Sequence, residues 1–197
     1  QLRQLMGTVR ENFDLSKVVE YTVEAGRPDC TDAEKLRIIK KYGATRISIN
    51  PQTFSDQVLQ NIGRRHTAQD IIDCFAEARA AGHKNINMDL IAGLPYEDLQ
   101  SFHRSFNDVY AMQPDQLQLG FLKVLKGSYM EKQKENYGLV YKDTPPYEVL
   151  YTKWLPYEDV LVLKKVEEMV EVYYNSSQFS NTLRLLEKEF DTAFALY

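Results

Sequence analysis

The sequence predicts an α/β fold: a partial (β/α) barrel, a half-barrel of parallel strands, with a C-terminal helical extension. Three observations predict it. Short β-branched or apolar runs alternate with segments of helical periodicity. Helical segments carry a capping residue at the start or a glycine at the end. After Lys126-Gly127-Ser128 the alternation stops and the composition shifts, with 10 of the 13 tyrosines lying from Tyr110 onward.

Taken in order, Val18-Val19-Glu20-Tyr21-Thr22-Val23 reads as a strand from its β-branched and aromatic content. Thr31-Asp32-Ala33-Glu34 opens a helix in a capping-box pattern, Leu36, Ile38, Ile39 and Tyr42 give it an apolar stripe, and Gly43 ends it. Arg46 to Ile49 is the next strand and Ser55 to Ile62 a short helix. Thr67 to Ala81 is a longer helix, with Ile71, Ile72, Phe75 and Ala78 on one face and Gly82 closing it. Ile86 to Ile91 is a third strand, Leu99 to Met112 a helix, and Gln116 to Val124 a fourth strand. Strands and helices in this order imply parallel βαβ units with right-handed crossovers, and four strands make half of an eight-stranded barrel. Residues 1–126 are expected to form this core and 127–197 a mostly helical region. In the latter, Gly138 to Pro146 reads as loop, Tyr157 to Tyr174 as a helix with Val162, Val166, Met169, Val170 and Tyr173 on one face, and Ser180 to Phe190 as another.

The 24 basic and 28 acidic residues give a net charge of −4 with no basic block, which argues against nucleic acid as a partner. No run approaches the roughly 18–20 apolar residues of a membrane span, and nothing at the start resembles a signal peptide, so a cytoplasmic protein with no membrane partner is expected. Cys30 and Cys74 are too few for a disulfide framework. His66, His83 and His103 lack ligand partners at helical spacing, so no metal residues are assigned. Asn175-Ser176-Ser177 matches a glycosylation sequon that carries no meaning in a reduced cytoplasmic chain.

Parallel α/β folds place their chemistry at the C-terminal ends of the strands. There the chain offers Glu24, then Asn50-Pro51-Gln52, then Asp89 within the apolar Met88-Asp89-Leu90-Ile91, while Arg64 follows the short helix. An acid inside an apolar parallel strand is costly unless paired or functional. Two acids, an amide and a guanidinium suit a small zwitterion bearing hydroxyl groups.

Four runs in order carry a family resemblance: Tyr21-Thr22-Val23-Glu24-Ala25-Gly26-Arg27-Pro28-Asp29, Arg46-Ile47-Ser48-Ile49-Asn50-Pro51-Gln52-Thr53, Ile62-Gly63-Arg64-Arg65-His66-Thr67, and Asn87 to Pro95. They resemble the radical S-adenosylmethionine superfamily, and more narrowly the oxygen-independent coproporphyrinogen III oxidases (coproporphyrinogen dehydrogenases). The stretches Gln116 to Ser128 and Pro145 to Leu150 instead resemble radical enzymes in which a cobalamin-binding domain comes first and the C-terminal domain is uncharacterised. The change falls near Asp89 to Asp98, as in a mosaic of two proteins.

The resemblance implies a partial barrel and S-adenosylmethionine as cofactor. It assigns Glu24 to the amino group of the methionine moiety, Arg64 to its carboxylate, and Gln52 and Asp89 to the ribose hydroxyls. It implies a 4Fe-4S cluster on a Cys-x3-Cys-x2-Cys loop ahead of the Glu24 strand. Two cysteines cannot supply that loop, so its ligands are expected upstream of Gln1, and this chain alone is expected to be inactive. The expected activity is radical oxidative decarboxylation in porphyrin and haem synthesis, on a small-molecule substrate such as a porphyrinogen, with flavodoxin or ferredoxin as electron donor. The alternatives are a cobalamin-dependent radical enzyme of unknown substrate and a non-catalytic binding module that has lost the cluster.

Overall fold

The computed structural model describes residues 1–197. Helix α1 (Leu2–Asn12) precedes strand β1 (Thr22–Gly26), after which come α2 (Ala33–Lys41), β2 (Arg46–Gln52), α3 (Asp56–Asn61), α4 (Ala68–Ala80), β3 (Ile86–Ala92), α5 (Leu99–Ala111) and β4 (Gln116–Phe121). The four strands are parallel and stand in the order β1-β2-β3-β4. Each crossover therefore steps one place in the same direction and, being right-handed, sets its helices on the same face of the sheet. The half-barrel expected from the sequence is the architecture observed.

Local sequence accounts for most of these boundaries. Thr67 and Asp70 close a reciprocal capping box at α4, and the Asp98 side chain accepts from the Ser101 N–H at the start of α5. At α2 the cap is Asp32, which accepts from the Lys35 N–H, and not the Thr31 box expected from sequence. The Thr31 hydroxyl instead donates to the Ala25 carbonyl, tying the loop back to β1.

Other expectations are corrected by burial. Strand β1 begins at Thr22, because pairing with β2 starts there, while Val19 is 96% exposed despite its β-branched neighbours. On α4 the inward face is Ile71, Cys74, Phe75 and Ala78, spaced three and four residues apart; Ile72 falls off that arc and is exposed. Helix α1 stands ahead of the first expected strand and buries only Met6.

Register determines what the two faces of the sheet carry. Partners Val23, Ile47 and Ile86 share a face, as do Ile49, Met88 and Leu117, and then Leu90 and Leu119. From Ile47 onward these residues are buried in the core. The alternate row pairs Glu24 with Ser48, Ser48 with Asn87, and Asn87 with Gln116, followed by Asp89 with Gln118. Most parallel sheets are apolar on both faces because helices cover both. Here one face is covered by helices and the other is polar, as suits the inner wall of an open half-barrel.

The second half of the chain contains α6 (Tyr129–Lys132), β5 (Val140–Tyr141), β6 (Val149–Tyr151), α7 (Tyr157–Met169), a π-helical turn over Val170–Asn175, α8 (Ser180–Leu186) and α9 (Ala193–Leu196). Residues 138–146, read as loop, include β5, which pairs antiparallel with β6. The buried face of α7 and the turn after it is Val160, Leu163, Val166 and Val170, whereas Val162 and Tyr173 are exposed, against expectation. The last predicted helix stops at Leu186, short of Phe190. No helix is long and apolar enough to cross a membrane.

The π turn places Tyr174 and Asn175 against the outer edge of β4. The Asn175 amide accepts from the Leu117 N–H at 2.9 Å and donates to the Leu117 carbonyl at 3.0 Å, while the Tyr174 hydroxyl donates to the Pro114 carbonyl. A side chain thus supplies what a neighbouring strand would, and it shields an edge otherwise open to pairing with another chain. The sequon asparagine is committed to the fold. Asn175→Ala is expected to destabilise the protein by about 1–3 kcal/mol through two orphaned backbone groups, measurable as a lower urea midpoint.

Candidate functional site

The polar inner face leads to the C-terminal rim of the sheet, where local irregularities re-aim the chain. After Glu24 the β1 register slips, with Gly26 at φ +65 opposite Ile49. Pro51 has no N–H to extend the ladder, the register with β3 slips between Ile49 and Gln52, and Gln52 takes a left-handed φ of +68. Beyond α3, Gly63 turns the chain at φ +75 and the Arg64 N–H bonds back to the Leu59 carbonyl at 2.8 Å. The loop after β3 turns at Gly93, φ +84, where an added Cβ would stand 2.8 Å from Val149 Cγ1.

These turns bring together the residues singled out in the sequence. Burial pushes the Asp89 carboxyl up to about 7, and the Glu24 charge adds to that; the Arg64 guanidinium and the backbone N–H groups of Asp89 and Gln52 pull it back. Glu24 is exposed and its Oε2 accepts from Asn50 Nδ2 at 3.4 Å, a bond that joins β1 to β2. Burial and the neighbouring Arg27 lower the Arg64 pKa, with Asp89 and Asp29 opposing. Buried polar atoms without a partner concentrate here: Asn50 Oδ1, Arg64 Nη1 and Asp89 Oδ1. Such atoms cost free energy in a finished fold and are expected where a ligand is to be bound. Next to Asp89, a cleft of about 360 Å³ runs along β3 and β4, lined by Ile91, Gln118, Gly120 and Lys123 among others. A larger cleft of about 660 Å³, between Lys126 and Tyr151, includes none of these rim residues.

Several rim residues were not assigned from sequence. In the sequence Asn50 stands out only as part of the Asn50-Pro51-Gln52 strand end. The His66 ring is fully buried with both nitrogens lacking a hydrogen-bond partner and Nδ1 3.6 Å from Asp29 Oδ1, and burial first, then Arg64, hold its pKa down. Glu97 is 1% exposed, its carboxyl pushed by burial to about 7. Its sequence signal is an acid four residues past Gly93, but a loop glutamate is ordinarily solvated.

A family model described as the Radical SAM superfamily matches residues 6–109, and one described as Protein of unknown function (DUF4080) matches residues 135–197. The oxygen-independent coproporphyrinogen-III oxidase-like protein HemZ of Bacillus subtilis (strain 168) is 41% identical over 129 residues, 66% of this chain and 26% of that protein. The heme chaperone HemW of the same organism is 40% identical over 116 residues, 57% of this chain and 30% of that protein. The chain thus spans between about a quarter and a third of the length of these curated relatives. Among solved structures, coproporphyrinogen III oxidase (HemN) from Escherichia coli superposes with a TM-score of 0.63 at 24% identity, over 86% of this chain and 36% of that one, a likeness of fold.

Proposed function

The chain belongs to the radical S-adenosylmethionine superfamily, and from that membership we propose that its polar rim holds S-adenosylmethionine for a radical enzyme of porphyrin metabolism. What carries the reading is the match between the cofactor and the rim's unpartnered atoms. A carboxylate suits the Arg64 fork, whose Nη1 is buried and free; ribose hydroxyls suit Asp89 Oδ1 and Gln52; an ammonium suits Glu24.

When bound, S-adenosylmethionine and a reduced 4Fe-4S cluster would supply a carbon-centred radical able to take a hydrogen atom from a substrate carbon. The residues present here do not fit the cluster. Cys30 is exposed in the loop after β1, and Cys74 is buried in α4 with its thiol pushed by burial up to about 11, so the two cannot act as a thiolate triad. No group of three or more His, Cys, Asp or Glu is placed to hold a metal ion. The task proposed for this chain is to bind, orient and shield the cofactor, with cluster ligation and electron supply, from a donor such as flavodoxin or ferredoxin, lying outside its own residues.

For the substrate, identity to the HemZ protein favours a porphyrinogen and oxidative decarboxylation of its propionates. Identity to the HemW chaperone, nearly as high, favours a second reading in which haem is bound without turnover. The test is an amide chemical-shift titration with S-adenosylmethionine, followed by titrations with coproporphyrin and with haemin read by Soret absorbance. Shifts at Glu24, Gln52, Arg64 and Asp89 are expected. Their absence at millimolar cofactor removes the site assignment, and a Soret response to haemin but not to coproporphyrin moves the chaperone reading into first place.

A further inference from the structure

Glu97 takes no part in the cofactor contacts just described, yet it is an acid buried in the loop that follows β3. Its Oε1 accepts the Thr53 hydroxyl at 2.6 Å. Thr53 is fully buried, lies 3.2 Å from the Ser105 hydroxyl of α5, and accepts from the Ser55 N–H at 3.1 Å. Ser105 accepts in turn from the Phe54 N–H at 3.0 Å. The loop carrying Glu97 is itself closed by its N–H bond to the Leu94 carbonyl at 3.2 Å. This network therefore fastens the segment after β2 to the loop after β3 and to α5.

The fastening point is adjacent to the cofactor rim. Thr53 directly follows Gln52, whose left-handed backbone is a conformation a non-glycine residue holds only when its surroundings over-determine it. The bond from Glu97 supplies that determination from the loop that follows the strand bearing Asp89. We propose that Glu97 is a positioning residue for the cofactor rim: by holding the Thr53 hydroxyl it sets the turn at Gln52 and with it the placing of Gln52 relative to Asp89. This rests on the S-adenosylmethionine reading above.

The experiment compares wild type, Glu97→Ala, Glu97→Gln and Thr53→Val in two measurements: native-state hydrogen exchange and S-adenosylmethionine affinity. Glu97→Ala and Thr53→Val are expected to raise amide exchange at Phe54 and Ser55 at least about tenfold while β3 stays protected, and to weaken the cofactor about tenfold, the equivalent of one lost hydrogen bond. Glu97→Gln is expected to restore both, since its amide oxygen still accepts the Thr53 hydroxyl. Thr53→Val removes the bond from the other side with little change of shape, so the test stands even if Glu97→Ala fails to fold. Unchanged exchange at Phe54 and Ser55 overturns the proposal, and so does raised exchange with unchanged affinity, which would make the network merely structural. Should wild type bind no S-adenosylmethionine, the cofactor reading and the positioning role fall together, and the exchange data alone would then report whether the loops are pinned.

Discussion

Asp89→Ala is expected to weaken S-adenosylmethionine binding by about 10- to 100-fold, the range for a hydrogen bond to a charged or strongly polar group. Asp89 sits on the polar face of β3, held there by pairing with Gln118 on β4, and its Oδ1 is buried without a partner. Its removal takes away an acceptor that the bound cofactor would satisfy, without disturbing the apolar face formed by Met88 and Leu90. Calorimetry on the folded variant checks the loss, and circular dichroism confirms the fold. Undiminished affinity in a folded Asp89→Ala protein would show that the ribose is bound elsewhere.

Stability is expected to respond to the same residue with the opposite sign. The Asp89 carboxyl rises from 3.8 to about 7 on folding, chiefly through burial, so between those values the folded chain binds more protons than the unfolded chain. Its contribution is fully favourable below about 4 and is lost as pH rises through 7, where the folded protein must hold an unwanted charge. The shift of about three pKa units corresponds to at most ~4 kcal/mol, and with relaxation of a half-buried site the expected effect is on the order of 2 kcal/mol.

Asp89→Asn removes this penalty. Its advantage over wild type in urea unfolding is expected to be near zero at about pH 4, to grow through neutrality, and to level off near pH 8. The variant-minus-wild-type difference is the necessary readout. His66 and His83, whose pKa values burial lowers from 6.5, raise stability with pH below that value and partly mask the acid in the wild-type curve alone. A difference that is flat across this range would mean that Asp89 is solvated in the folded protein. A residue that costs stability and serves binding is the pattern expected of a functional site.

Much of this rim could be anticipated before folding. That Glu24, Gln52 and Asp89 belong to successive parallel strands follows from the alternation of apolar runs and capped helices, a local pattern written within a few residues of each element, although only Gln52 ends its strand while Glu24 and Asp89 stand mid-strand. Asp89 stands out because an acid inside Met88-Asp89-Leu90-Ile91 violates that pattern. By contrast, the run Val18 to Tyr21 has strand composition but no partner strand, and only pairing could decide that β1 starts at Thr22. Thr31 and Asp32 are both acceptable helix caps, and the choice went to Asp32 because the Thr31 hydroxyl was drawn to Ala25 of the preceding strand.

The sequence by itself determined the order of elements, the helix ends at Thr67 and Asp98, the identity of the polar residues on the strands, and membership of the superfamily. Tertiary structure alone decided which polar groups meet and which are buried. The Glu97 carboxyl reaches a hydroxyl 44 residues away, and Asn175 satisfies a strand edge 58 residues away. The physical reason is range. Capping and periodicity depend on neighbours along the chain, whereas desolvation, proton affinity and the partnering of a buried group depend on whatever the fold brings beside it.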